Sequence, residues 1–423
     1  MKEKVVELFS FILVVLLFIL MFISSIRITY TTFSLKDYSN YLILIGILGL
    51  IIYIISKIKN FKFNKYEIII IFLMTLSYCS LINCLDLNTA LFGMVNRYEG
   101  LFVILTYYIL ILVSMNIKNK KYISIILFLI IIIGLSNLLY GLLQVGILNI
   151  NSIYVVNKFN YAYGFLGNHM YFGTLMSICL PLVLGIYLKS NNIIKKIIYF
   201  ILILFFSLGV MIGGAMSTIV ALVFVILLII FEVIKDLKIK NKKTFSNFIF
   251  LIITMFCILI GYINFNSEFK KDIFELKNEV VSILNGNIEE NFGTGRIYIW
   301  KNTIDKFKEN WLTGIGIDNF KKAFNPPLLD HMGLIITKAH NEYLQKLLCE
   351  GLFSGGLYII FLLIVFFKNL IKKKNSLYYS LFLAFTSYSI QAFFNISVIR
   401  VAPIYFIIIG LLIGFQVKDS GYE

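Results

Sequence analysis

The chain has 423 residues, 60% of them hydrophobic and 14% charged, with a mean hydropathy of +0.90. A soluble chain carries nearer a quarter charged residues, so a water-soluble fold is excluded, and the apolar pattern is never left for long enough to build a soluble domain. The formal net charge of +16 comes as short lysine clusters between apolar runs, which is the signature of membrane topology and not of a nucleic-acid surface.

Met1, Lys2, Glu3 and Lys4 precede an apolar run of about twenty residues, longer than a signal-peptide core, and this run reads as a retained first span. A crossing needs roughly 20 apolar residues. That criterion predicts twelve spans, at 6–26, 41–57, 67–84, 100–116, 122–140, 170–188, 197–213, 216–234, 247–264, 351–367, 377–394 and 401–417. Gly213 and Gly214 join the seventh and eighth. Lys57, Lys59, Lys62 and Lys65 follow the second span, and Lys118, Lys120 and Lys121 the fourth. Lys189, Lys195 and Lys196 follow the sixth; Lys235, Lys238, Lys240, Lys242 and Lys243 the eighth; Lys368, Lys372, Lys373 and Lys374 the tenth. Every even-numbered exit is lysine-rich, which puts both termini in the cytoplasm.

The hydrophilic remainder is mostly one outward loop. It divides the chain into spans one to nine (1–264), the loop (265–339), and a return helix with spans ten to twelve (340–423). Within the loop, Phe269, Ile273, Leu276, Val280 and Ile283 fall at helical spacing and predict an amphipathic helix lying on the membrane or the bundle. After a turn-rich stretch at 285–295, Trp300, Ile304 and Phe307 share a second helical face. Gly314, Gly316, Asn325, Pro326 and Pro327 mark turns, and a third helix starts near His340 and runs into the tenth span. The expected fold class is an all-α integral membrane protein of about 12 transmembrane helices with one large extracytoplasmic loop containing short helices.

All four arginines, Arg27, Arg97, Arg296 and Arg400, fall on the outer side in this topology, while the inner loops use lysine alone. Drift among so few residues is the plain account. Arginine, however, offers a planar fork of donors suited to phosphate or carboxylate, and a lipid-linked phosphate or diphosphate at the outer leaflet is the ligand it suits. The spans carry almost no ionisable residues in their central turns, which argues against an ion-coupled transporter. Cys79, Cys84, Cys179, Cys257 and Cys349 show no metal-ligand spacing and read as small buried hydrophobes. Of the three histidines, His169 and His331 read as structural. His340 opens a helix with Asn341, Glu342 and Tyr343 where the loop re-enters the membrane, and an imidazole there can accept a hydroxyl proton near neutral pH.

Four segments in order then carry a resemblance: Gly295-Arg296-Ile297-Tyr298-Ile299-Trp300, Gly314-Ile315-Gly316-Ile317-Asp318-Asn319-Phe320, His340-Asn341-Glu342-Tyr343-Leu344, and Glu350-Gly351. Together they resemble the O-antigen ligase/polymerase superfamily, whose pattern is Gly-Arg before Trp, Gly-x-Gly-x-x-x-Phe, and His-Asn-x-Tyr/Phe-Leu before Glu-Gly. Asn96-Arg97-Tyr98-Glu99-Gly100 and Gly167-Asn168 resemble upstream positions, and Phe394-Asn395 with Val401-Ala402-Pro403 resembles the last spans.

The resemblance implies a bacterial multi-pass membrane glycosyltransferase of cell-envelope polysaccharide biosynthesis. It would move a glycan from a polyprenyl diphosphate (undecaprenyl diphosphate) to an acceptor hydroxyl on glycan, lipid or protein, at the outer face, without metal or other cofactor. It implies His340 as the group that orients or deprotonates the acceptor, and Arg296, with Arg97 beside it, as the diphosphate clamp. Arg400, Asn341, Glu342, Trp300 and Asn168 are the further substrate-binding candidates. Trp300 and Trp311 have an alternative reading as interfacial anchors, and Glu99 as a partner that fixes the Arg97 loop. Many members carry a Ser-Arg-Gly at the outer start of a middle span, where this chain reads Gly213-Gly214-Ala215-Met216-Ser217-Thr218; either another cation substitutes, with Arg97 and Arg400 the candidates, or the donor site is weakened. Two other classes stay open: a transporter of polysaccharide or lipid-linked sugar, and a non-catalytic scaffold for envelope assembly.

Overall fold

The computed structural model describes residues 2–30, 34–58, 62–148, 160–237, 260, 263, 267–330, 333–371 and 375–419. Fourteen α-helices are described: α1 (Lys2–Tyr30), α2 (Leu35–Lys57), α3 (Lys65–Cys79), α4 (Leu87–Phe92), α5 (Leu101–Ser114), α6 (Lys120–Gln144), α7 (His169–Lys189), α8 (Ile193–Gly213), α9 (Met216–Leu237), α10 (Ser267–Leu284), α11 (Phe292–Glu309), α12 (Glu342–Ile371), α13 (Ser376–Gln391) and α14 (Ala402–Asp419). No strand occurs among the described residues beyond an isolated bridge between Leu329 and Ile335.

The ninth predicted span, 247–264, lies outside the described residues, as do His331 and Cys257. The other eleven each coincide with a helix. Six helices among the described residues are long and apolar enough to cross a membrane, within α1, α2, α6, α7, α8 and α12, and α5, α9 and α14 contain shorter apolar helices. The chain is a multi-pass, all-helical membrane protein.

Two units divide the chain. The first comprises Met1–Ile123, Ser282–Lys372 and Ala392–Glu423. Its centre is α5, whose residues Tyr107 to Val113 are all buried, as a helix apolar on every side requires. Helices α1, α2, α3 and α14 pack around it, with Tyr107 stacked on Phe406 at 4.8 Å. Helix α2 turns the other way: Leu44, Ile47, Ile51 and Ile54 are exposed, an apolar face suited to lipid. Ser34 and Asp37 form a capping box at its start, and Asn64 and Glu67 form another at the start of α3, so each helix begins where its free N–H groups find side-chain acceptors.

The second unit comprises Ser124–Val281 and Lys373–Gln391. Here α7 is the buried helix, covered from Phe172 to Tyr187 by α8, α9 and α13. Asn168 caps it by accepting from the Met170 N–H at 2.7 Å. The Gln391 side chain at the end of α13 donates to Thr174 Oγ1 at 2.9 Å, satisfying a polar group in the packed interior. The predicted amphipathic helix is α10, with Phe269 fully buried and Phe274, Val280 and Leu284 exposed.

The return helix runs into the tenth span and carries a buried charged pair ahead of it. Helix α12 begins at Glu342 and continues past residue 351, so Lys346 and Glu350 lie inside a membrane-length helix. They are buried and paired with each other. Ser77 and Ser354 donate to the same carboxylate at 2.6 Å each, and Tyr358 lies 4.9 Å beneath the ammonium. The charged pair is therefore compensated on every side, as burial demands, and it lies before Gly351, outside the central turns of α12.

Candidate active site

The loop returns to the membrane through a joint made of short-range bonds. Asn341 caps α12: its Oδ1 accepts from the N–H groups of Tyr343 and Leu344, both at 3.0 Å. Gln345 reaches back to accept from the Ala339 N–H at 2.8 Å. Between these two anchors His340 is held at φ 48°, a left-handed conformation uncommon outside glycine.

Ten residues after the cap, Gly351 breaks the helix at φ 78°, ψ 175°. The carbonyls of Leu348 and Cys349 are then taken by the N–H groups of Ile315 at 3.1 Å and Gly316 at 2.9 Å. The approach is so close that a Cβ on Gly314 would lie 2.5 Å from the Cys349 carbonyl oxygen. The Gly314-x-Gly316 and Glu350-Gly351 motifs are thus two halves of one contact. Around it Ile299, Ile315, Phe320, Ile336, Ala339 and Leu348 form a buried apolar core, which fixes the loop on the first turns of α12.

Arg296 follows a left-handed turn, Gly293-Thr294-Gly295, and donates from Nη1 to the Gly293 carbonyl at 2.9 Å. One turn on, Trp300 stands edge-on to Phe393 at 5.4 Å and close to Phe394. Arg97 sits in a turn where Asn96 and Tyr98 both have positive φ. Its Nη2 is 3.5 Å from Thr337 Oγ1, three residues before His340.

The structure brings these three groups into one electrostatic neighbourhood. Burial first, then the guanidinium groups of Arg296 and Arg97, push the His340 imidazole down from 6.5 to about 4, with Asp330 opposing. At neutral pH the ring is uncharged and able to accept a proton. Asn341 Nδ2 and Trp300 Nε1 are buried with no hydrogen-bond partner among the described residues, so each has a donor left to offer.

The remaining candidates are placed differently. Glu342 is the first residue of α12 and accepts from the Tyr358 hydroxyl at 3.2 Å. Arg400 lies in the turn before α14, close enough to Tyr38 of α2 to act on it electrostatically. Asn168 belongs to the second unit, where its side chain is the α7 cap. In that unit His169 Nδ1 lies 3.1 Å from the Gly213 carbonyl oxygen, with its ring stacked on Tyr161; Tyr161 in turn donates to Asp272. A Cβ on Gly214 would collide with the Tyr161 ring, so a tyrosine packs where the Gly213-Gly214 pair leaves space.

Lys338, Asp318 and Glu99 form a buried ion cluster that sequence reading did not assemble. Lys338 Nζ is 2.8 Å from Asp318 Oδ1 and 3.6 Å from Glu99 Oε2. Glu99 Oε1 accepts from Tyr107 and Ser397 at 2.8 and 2.6 Å, so its partners include a lysine from the loop. Asp318 and Glu99 both lay inside quoted motifs; Lys338, two residues before His340, carried no signal beyond that position. The cluster lines a cavity of about 60 Å³ that reaches Lys346 and Glu350, room for a handful of waters at roughly 10–15 Å³ each. No three His, Cys, Asp or Glu side chains converge as a metal site among the described residues.

No curated protein and no solved structure matches the chain. Residues 200–359 match the family model described as O-antigen ligase, a segment that contains the Gly314–Gly316 joint, Arg296, Lys338 and His340. Through that segment the chain is similar to the O-antigen ligase superfamily, whose members are membrane proteins of ligase/polymerase type.

Proposed function

We propose that the chain transfers a glycan from a polyprenyl-diphosphate donor to an acceptor hydroxyl, at the outer face of a bacterial membrane crossed twelve times with both termini inside. The single observation that carries this reading is the convergence of Arg296 and Arg97 on a neutral His340. The acceptor oxygen attacks the anomeric carbon as the bond from that carbon to the diphosphate oxygen breaks. His340 takes the hydroxyl proton, and polyprenyl diphosphate departs with its charge met by the two guanidinium groups. Diphosphate is a competent leaving group, and preorganised cations aimed at its developing charge supply the electrostatic stabilisation that such transfers need.

Asn341 orients the site through its capped backbone and its spare amide donor. Trp300, with Phe393 and Phe394, offers an aromatic surface beside Arg296 for the sugar or prenyl portion of the donor. Glu342 opens α12 two residues after His340, Arg400 is a further cation for the donor, and Asn168 acts by setting the start of α7.

The test is a transfer assay in membranes, comparing wild type with His340→Ala for extracytoplasmic glycan length and for accumulated lipid-linked donor. Lost product with donor building up is the expected result, and product size separates polymerase from ligase. Full product from a well-expressed His340→Ala chain sinks the mechanism and favours a transporter or scaffold.

A further inference from the structure

We propose that Lys338 is a positioning residue for the transfer site: its buried ammonium, shared between Asp318 and Glu99, clamps the segments that carry Arg97 and His340 to one another. The proposal rests on the glycan-transfer reading for its kinetic consequence, but its geometry stands on the cluster itself.

Two members of the cluster, and one hydrogen-bond partner of Glu99, lie within a few residues of a candidate group. Glu99 is two residues after Arg97, Lys338 two before His340, and Ser397 three before Arg400. Asp318 Oδ2 accepts from the Met94 N–H at 2.6 Å, and Glu99 is tied to Lys338, Tyr107 and Ser397. The turn that presents Arg97 is therefore bonded at both ends. These bonds also hold a strained stretch of backbone, since Asn96, Tyr98, Asp318 and His340 all have positive φ, a conformation that persists only when its surroundings impose it.

Lys338 is 5% exposed. Burial alone would push its ammonium down; the Asp318 and Glu99 carboxylates together outweigh that and hold it above its ordinary range. An ion cluster of this kind fixes geometry, because any displacement leaves a desolvated charge without its partner. The buried Lys346–Glu350 pair is different: both partners sit on one helix four residues apart, so it joins no two of the segments that carry Arg97 and His340.

The experiment uses the full-length chain reconstituted with lipid-linked donor, and compares Lys338→Met, Lys338→Arg and Glu99→Gln with Lys346→Met. Two readouts are taken, the transfer rate and the titration of His340 by NMR of labelled histidine. Loss of clamping that misplaces the groups by about 1 Å lowers kcat by about a hundredfold in Lys338→Met, with partial recovery in Lys338→Arg. Glu99→Gln is decisive on the second readout and covers the case in which Lys338→Met does not fold. Removing a carboxylate lowers a nearby histidine by direct electrostatics, whereas loosening Arg97 from His340 raises it; the groups that act on that ring are Arg296, Arg97 and Asp330. An upward shift of His340 in Glu99→Gln, absent in Lys346→Met, is the expected result. A downward or absent shift in Glu99→Gln overturns the proposal, as does a folded Lys338→Met with unchanged rate. If His340→Ala keeps full activity the transfer reading fails, and the His340 titration still decides the clamp.

Discussion

Gly351 and Leu312 stand so close that a Cβ built on the glycine would lie 2.3 Å from the Leu312 carbonyl oxygen. The contact is sealed by the Leu352 N–H, which donates to the Trp311 carbonyl at 2.7 Å. Helix α12 can break there only because residue 351 has no side chain and tolerates φ 78°, ψ 175°. The break in turn frees the Leu348 and Cys349 carbonyls for the Gly314–Gly316 segment.

Gly351→Ala is therefore expected to be one of the costliest single-methyl additions in the chain. The backbone strain alone is of order 1–3 kcal/mol, and the clash adds to it because the neighbour is backbone and cannot rotate away. Thermal unfolding in detergent should show a clearly lowered Tm, with transfer activity lost in parallel. An alanine variant with wild-type Tm would mean that the joint does not hold the loop on α12.

Asn341→Ala separates capping from chemistry. Its Oδ1 serves the α12 N-terminus, which is worth about 0.5–2 kcal/mol, whereas its Nδ2 has no partner among the described residues. Asn341→Asp keeps the capping oxygen and removes the amide donor, and it also adds a charge beside Arg296 and Arg97. The expected pattern is a lowered Tm in the alanine variant, a Tm near wild type in the aspartate variant, and reduced activity in both. Full activity in Asn341→Asp would restrict this residue to its cap.

Much of this was legible in advance, for a physical reason. Apolar runs long enough to cross a bilayer announce themselves, and eleven of the predicted spans coincide with helices because lipid leaves the backbone few other ways to satisfy its hydrogen bonds. The motif residues of the loop were legible as a set, but their purpose was not. Gly314, Gly316 and Gly351 look like turn punctuation in one dimension, and only the fold shows them meeting. Lys338 was illegible because a lysine in an outer loop is ordinarily solvated; its partners Glu99 and Asp318 lie far away in sequence. Lys346 and Glu350 fall outside the predicted tenth span because the apolar run starts at residue 351, where the glycine breaks α12 without ending it.

Arg296→Ala should change His340 as well as donor affinity. The guanidinium is among the groups that hold the imidazole low, so its removal moves the His340 titration upward, and Arg296→Lys restores most of the shift. Donor binding should suffer in both, because a lysine ammonium cannot make the bidentate contact that a diphosphate invites. Titration of labelled histidine is tractable in a chain with three histidines. A His340 titration unmoved by Arg296→Ala would show that the two groups do not share a site.

The pH dependence of transfer carries the sharpest consequence. A base must be neutral to accept a proton, so activity is retained above the His340 transition and lost as pH falls through it. In the unliganded chain that transition is at about 4, and the acid limb of kcat/KM, which reports free enzyme, should lie there. The same depression opposes protonation in the folded state. Its contribution to stability is whole above 6.5, declines as pH falls from 6.5 to about 4, and is flat below that. Bound diphosphate changes the balance: two or more negative charges between Arg296 and Arg97 cancel the field that disfavours imidazolium. The acid limb of kcat, which reports the donor complex, is therefore expected above that of kcat/KM, with burial of the ring still holding it below 6.5. The donor itself would then convert a weak base into an effective one. Rate profiles measured from pH 4 to 8 at saturating and limiting donor decide it, and coincident acid limbs would show that the diphosphate does not bind between the guanidinium groups facing His340.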